Sequence, residues 1–243
     1  MLSFPAGMAK SNMKDDIDLM EGLNSPLPSR ASRRIAKRSK ASSRGVVAVH
    51  LPGQNRPRII LFESKLEQRV LFLLLANAAV KDIREQPEPF KYAGSDGRRK
   101  HHFFDFLVVL ASGRTIAVAI KPMARVRKTR FLAELEDIRA AMTSKFADDV
   151  VLITDQDFTK AEALNAERFN AFARTRNTAL QRQLAELAAS IRFPMTVAEL
   201  QRRLGGGAEC FRAIFLAIFD GVLNADMARE IDPSTIVTLG ECS

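Results

Sequence analysis

The chain predicts an α/β core, a mixed sheet flanked by helices, followed by a smaller and mostly helical second half. Three patterns carry that prediction. Between residues 63 and 155 the segments run helix, three strands, helix, strand. The strands at 103–110 and 115–121 are apolar on both faces, as in a sheet covered from two sides. After Asp157 the strand signal fades and helical periodicity takes over.

Taken in order, residues 1–45 read as an unstructured basic arm with at most a short helix near 13–23, and residues 46–62 as an extended lead-in containing Pro57. Over residues 64–79, Leu66, Val70, Leu71, Leu73, Leu74 and Ala78 recur at helical spacing, and Ser64 with Glu67 has the form of a capping box. Residues 82–92 alternate loosely around Pro87 and Pro89, which suits an edge or bulged strand. The turn at 94–97 leads into the two apolar strands. A basic stretch, a helix over 131–145 and a short buried strand at 150–154 close the core, placed at 46–157. Residues 158–243 carry helices near 159–174, 177–191, 196–204 and 208–220. Their last pieces fit a small helical or winged-helix domain.

The formal charge of +9 is concentrated. From residue 22 to 62 there are nine Lys and Arg and no Asp or Glu: Arg30, Arg33, Arg34, Lys37, Arg38, Lys40, Arg44, Arg56 and Arg58. Such a block neutralises phosphates, so DNA is the expected partner of Arg30, Arg33, Arg34, Lys37, Arg38, Lys40 and Arg44, joined by Arg125, Arg127 and Lys128 further on. Cys210 and Cys242 are too few for a disulfide framework or a thiolate zinc site, and His50, His101 and His102 show no helical ligand spacing. No apolar run is long enough to span a bilayer and no secretory signal is visible, so the expectation is a cytoplasmic protein with no membrane association.

Counting inward from a turn in which Ala111 pairs with Thr115 places Leu107 opposite Ala119 and Asp105 opposite Lys121, all on one face of the sheet. The helix beginning at Ser64 can add Glu67. Two carboxylates and a lysine are what phosphodiester hydrolysis with Mg²⁺ (or Mn²⁺) needs: hard oxygen ligands for the cation, and a positive charge beside the attacked phosphorus.

At these residues the chain resembles TnsA, the transposon endonuclease of the restriction-endonuclease-like superfamily. The resemblance rests on Glu63-Ser64-Lys65-Leu66-Glu67, Asp82-Ile83-Arg84-Glu85-Gln86-Pro87, Phe104-Asp105-Phe106-Leu107-Val108, Ser112-Gly113-Arg114, Ala119-Ile120-Lys121-Pro122 and Leu152-Ile153-Thr154-Asp155, in family order. It implies a restriction-endonuclease-like core with Glu67, Asp105 and Lys121 as catalytic residues. Glu67, Asp105 and the Ile120 carbonyl would hold the metal. It also implies cleavage at the 5′ ends of a transposon, alongside a DDE-type transposase (TnsB-like) and an AAA+ regulator (TnsC-like). The family has Gln or Glu where this chain has Ala119, which makes Glu85 or Glu88 a substitute ligand. A catalytically silent DNA-bridging subunit is the alternative.

Overall fold

A computed structural model describes residues 25–33 and 43–240. The short helix expected near 13–23, and Arg34, Lys37, Arg38 and Lys40, lie outside the described residues. The lead-in is a hairpin, β1 (Gly45–Val49) paired antiparallel with β2 (Arg58–Phe62). Residues 25–33, expected within an unstructured arm, instead run as a strap along this hairpin. The Leu27 N–H donates to the Pro57 carbonyl at 2.7 Å, and the Ile59 N–H donates to the Leu27 carbonyl at 2.9 Å.

Helix α1 (Lys65–Leu75) starts where expected, with the Ser64 hydroxyl accepting from the Glu67 N–H, and ends at Ala76. The single strand expected over 82–92 is two strands. β3 (Val80–Glu85) carries a bulge between Val80 and Asp82 and stops at Gln86, whose φ of +43 turns the chain away. Two prolines then supply no ladder donors, and β4 (Phe90–Ala93) pairs with β5 (Arg99–His102) as a separate ribbon.

β6 (Phe106–Leu110), β7 (Thr115–Ile120) and β8 (Asp149–Ile153) complete the main sheet in the order β3-β6-β7-β8; its last pair is parallel, so the sheet is mixed. The β6–β7 register departs from expectation by two residues: Val109 pairs with Thr115 and Leu107 with Ala117. The turn is the reason. Leu110 and Arg114 close a three-residue loop, and Gly113 holds φ +86, the left-handed position such loops require. A two-residue shift keeps every side chain on its expected face but slides Asp105 away from Lys121, toward Val118 and Ala119.

The basic stretch forms an unexpected helix, α2 (Met123–Thr129), separated from α3 (Phe131–Ala141) by Arg130 at φ +52. The sheet is covered on both faces, as expected. α1 packs Val70 and Leu71 against Ile83, Phe106, Val108, Val118 and Ile120, while α2 and α3 pack Val126, Phe131, Leu135 and Ile138 against Phe104, Ala117 and Ala119. Each fully buried large side chain contributes about 1.5–3 kcal/mol.

The second half comprises α4 (Lys160–Ala173), α5 (Thr178–Ser190), β9 (Met195–Thr196), α6 (Val197–Arg203), α7 (Gly207–Phe219), β10 (Leu223–Asn224) and β11 (Ile236–Leu239). β11 pairs with both β10 and β9, so from α5 onward the element order is compatible with a winged helix. Most of α7 is buried, and α4 lies over it with Phe169 stacked on Phe219 at 4.5 Å. α4 also joins the two halves: the Asn170 side chain donates to the Phe72 carbonyl at 3.1 Å.

Candidate active site

Glu67 comes from the first turn of α1. It is 8% exposed. Its Oε2 accepts from the Glu63 N–H at 2.7 Å and its Oε1 from the Ser64 hydroxyl at 2.9 Å. The cap therefore aims the carboxylate at the chain entering the helix, toward Glu63 rather than the Ser64 amide of a standard capping box. Burial raises its pKa; the Glu63 and Ser64 hydrogen bonds oppose that, the Glu63 charge adds to it, and the Arg33 charge opposes it.

Asp105 sits just before β6, held from several directions. Its N–H donates to the Val118 carbonyl at 3.0 Å, its own carbonyl accepts from the Gln86 N–H at 2.8 Å, and its Oδ2 accepts from the Ile120 N–H at 2.6 Å. The left-handed turn at Gln86 is what brings that amide into place, at a cost of about 1–3 kcal/mol. Burial pushes the Asp105 carboxyl up to about 7, and the negative charge of Glu67 adds to the shift; the Ile120 N–H, Lys121 and Arg33 pull the other way. The two carboxylates predicted from sequence do act on each other, from a helix and from a strand entrance.

Lys121 follows β7, its N–H donating to the Ile153 carbonyl at 3.1 Å and its ammonium lying 4.5 Å from the centre of the Phe131 ring. Its charge reaches Asp105 and also His102. His102 escaped sequence reasoning, which weighed histidines only for helical metal spacing. Here it is buried, with Nδ1 3.2 Å from Glu134 Oε1 and no hydrogen-bond partner for Nε2 among the described residues. Burial lowers its pKa, while Glu134 opposes that and Lys121 reinforces it.

Ala119 is 1% exposed, packed among Phe104, Phe131 and Leu135 on the α2–α3 face, with no polar atom to offer. Neither proposed substitute joins the pair. Glu85 is fully buried, its Oε1 accepting from the Ser29 hydroxyl and, at 3.1 Å, from the Arg30 N–H. Glu88 is exposed beyond the β3 end. The Arg84-Glu85-Gln86-Pro87 piece thus has a physical role that spacing alone could not show: Glu85 and Gln86 anchor the strap and orient Asp105.

The strap redirects two arginines expected on DNA. Arg30 pairs with Asp82 at 2.6 Å and donates to the Ile83 carbonyl at 2.7 Å. Arg33 pairs with Glu63 at 2.7 Å, donates to the Gln86 side chain and lies 5.7 Å from the Phe103 ring centre. Its charge favours the ionised form of both Glu67 and Asp105. Arg44 is half-buried just before β1, whereas Arg125, Arg127 and Lys128 are exposed on α2.

Residues 77–176 match the family model of the TnsA-like endonuclease N-terminal domain. Over those residues the chain is similar to a TnsA-like endonuclease domain. The match takes in Asp105 and Lys121 and begins after Glu67. No curated protein matches the chain. The mixed sheet between helices agrees with the restriction-endonuclease-like core expected of such a domain.

A divalent metal at this core would find a short donor set. Among the described residues no three His, Cys, Asp or Glu side chains gather as a metal cage. Mg²⁺ nevertheless needs only one or two carboxylates when waters and substrate phosphate complete its shell. Asp105 Oδ1 accepts no hydrogen bond among the described residues, and burial, with the Glu67 charge, raises the carboxyl's pKa. Extended-strand geometry sends the N–H and C=O of one residue to the same side, so the Ile120 carbonyl shares the strand edge whose N–H binds Asp105. Glu67, Asp105 and that carbonyl are the oxygen donors that would hold a hard cation, none of them from the side chain at position 119.

Proposed function

We propose that the protein is a metal-dependent DNA endonuclease that hydrolyses a phosphodiester at the 5′ ends of a transposon. In this reading it acts in the cytoplasm with a TnsB-like DDE transposase and a TnsC-like AAA+ regulator. The observation that carries the reading is that the charges of Glu67 and Lys121, from two other elements, both act on Asp105, with Asp105 and Lys121 inside the stretch that matches the TnsA-like model. Among the described residues no helix is long and apolar enough to cross a membrane.

Bound Mg²⁺ or Mn²⁺ would lower the pKa of a water and offset charge on the phosphate. Glu67 and Asp105 would hold it, Asp105 in its ionised form, which Arg33 and Lys121 favour. Lys121, set in place by Phe131, supplies a positive charge that counts most as the phosphorus becomes pentacoordinate.

The buried Ala119 favours a second reading, a silent DNA-bridging subunit, because it removes the ligand that the family supplies there. One experiment separates the two. The chain is mixed with its transposase, transposon-end DNA and Mg²⁺, and 5′-end nicking is followed. Nicking that disappears in Asp105→Asn and in Lys121→Met supports the nuclease; DNA binding without nicking by the unmodified chain supports the bridge.

A further inference from the structure

The β4–β5 ribbon stands apart from the main sheet, and its two faces differ in kind. Residues alternate across it, with Lys91 opposite His101 and Ala93 opposite Arg99. The inner face is accounted for by packing. Phe90 lies 5.0 Å from Phe146 by ring centres, Lys100 pairs with Asp96 at 3.3 Å, and His102 meets Glu134. The outer face holds Lys91, Ala93, Arg99 and His101, all exposed, with no acidic residue among them. No ion pair or side-chain hydrogen bond engages Lys91, Arg99 or His101 among the described residues; His101 touches only the Phe103 ring, edge-on at 5.2 Å.

The same alternation continues toward the site. Phe103 is 44% exposed, a large apolar ring that no core explains, and Arg33 covers its other side. Arg99, His101, Phe103 and Asp105 follow at two-residue steps, about 6–7 Å each in extended chain, close to the spacing of successive phosphates on a nucleic-acid strand. Cations interleaved with an exposed aromatic are what backbone contact with stacking requires.

We infer that the outer face of this ribbon, Lys91, Arg99 and His101 with Phe103, binds the phosphate backbone of the DNA strand that leads to Asp105. The inference rests on the nucleic-acid substrate of the proposed function, and charge complementarity selects DNA over a protein partner.

The test uses the full chain carrying Asp105→Asn, so that binding is read without cleavage. Affinity for duplex transposon-end DNA is measured by fluorescence anisotropy between about 50 and 200 mM salt. Lys91→Gln with Arg99→Gln is expected to weaken binding at least tenfold and reduce the salt slope by about two. Phe103→Ala is expected to weaken it severalfold with the slope unchanged. Arg182→Gln with Arg192→Gln, exposed cations of the second half, should leave both readings alone. Affinity and slope within twofold of the parent in the ribbon variants, with unchanged thermal melting, overturn the inference, as does the absence of measurable DNA binding by the parent. A chain that binds DNA through the ribbon but never nicks it refutes only the nuclease reading. A nicking chain indifferent to the ribbon variants refutes only the ribbon.

Discussion

The strap and the outer surface of the core both carry arginines, but they use them in opposite ways. Arg30 and Arg33 turn inward onto Asp82 and Glu63, half-buried and hydrogen-bonded. Arg99, Arg125, Arg127 and Lys128 stand exposed, with no ion pair or side-chain hydrogen bond among the described residues. Net charge therefore overstates what is available to DNA. A cation already paired with a carboxylate has little left to give a phosphate, whereas a solvated one releases counterions on binding. The inward set serves the site differently, by balancing the negative charge of Glu67 and Asp105.

The largest effect is expected at the carboxylates. Asp105→Asn is expected to lower nicking of end DNA by at least about a thousandfold, because electrostatic groups at the reacting centre carry effects of that order. Its DNA affinity should stay within a few-fold; collapse of both together would mean that Asp105 is structural. Next in size, Arg125→Gln, Arg127→Gln and Lys128→Gln combined should weaken DNA binding by ten- to a hundredfold and lower the salt slope by about three, with no loss of thermal stability.

A smaller effect appears in stability against pH. Burial raises the folded-state pKa of Asp105 to about 7, above the 3.8 of a solvated aspartate. Between those values the folded state binds more protons than the unfolded one, so this residue lowers stability as pH rises from about 4 to 7. Asp105→Asn removes that penalty. Its melting temperature in metal-free buffer should exceed that of the parent by several degrees at pH 8, with the gap shrinking toward pH 5; a gap that widens on acidification contradicts the shift. Added Mg²⁺ should stabilise the parent at pH 8 and not the Asn variant.

The smallest effect is expected from the strap itself. Arg33→Ala should cost about 1 kcal/mol, since the Glu63 pair is one-third exposed and screened. It should leave the salt slope of DNA binding unchanged. A slope that falls by one would move Arg33 into the outward set.

Much of the fold was legible in the sequence because periodicity and end signals are local. Ser64 with Glu67 marked the start of α1, and the apolar strands at 103–110 and 115–121 announced a sheet covered on both faces. Harder to read were features set by single backbone conformations. Gly113 closed a three-residue loop and moved the β6–β7 register by two, Gln86 at φ +43 split one expected strand into two, and Arg130 at φ +52 separated α2 from α3. For the site, strand alternation and the family resemblance single out Glu67, Asp105 and Lys121, whereas nothing local marks His102, whose contact with Glu134 and proximity to Lys121 arise only in the fold.

By itself the sequence determined residue type, parity and order: which side chains alternate to which face, where carboxylates and cations sit along the chain, and that alanine occupies position 119. Tertiary structure alone decided which charges meet. It bent the strap so that Arg33 reaches Glu63 and Gln86, enclosed Asp105 so that burial pushes its carboxyl up to about 7, and closed Ala119 into an apolar cluster. The physical reason is that secondary structure answers to neighbours a few residues away. Desolvation and charge pairing answer to groups brought together across about 30 to 70 positions of chain, and only the packed fold sets those distances.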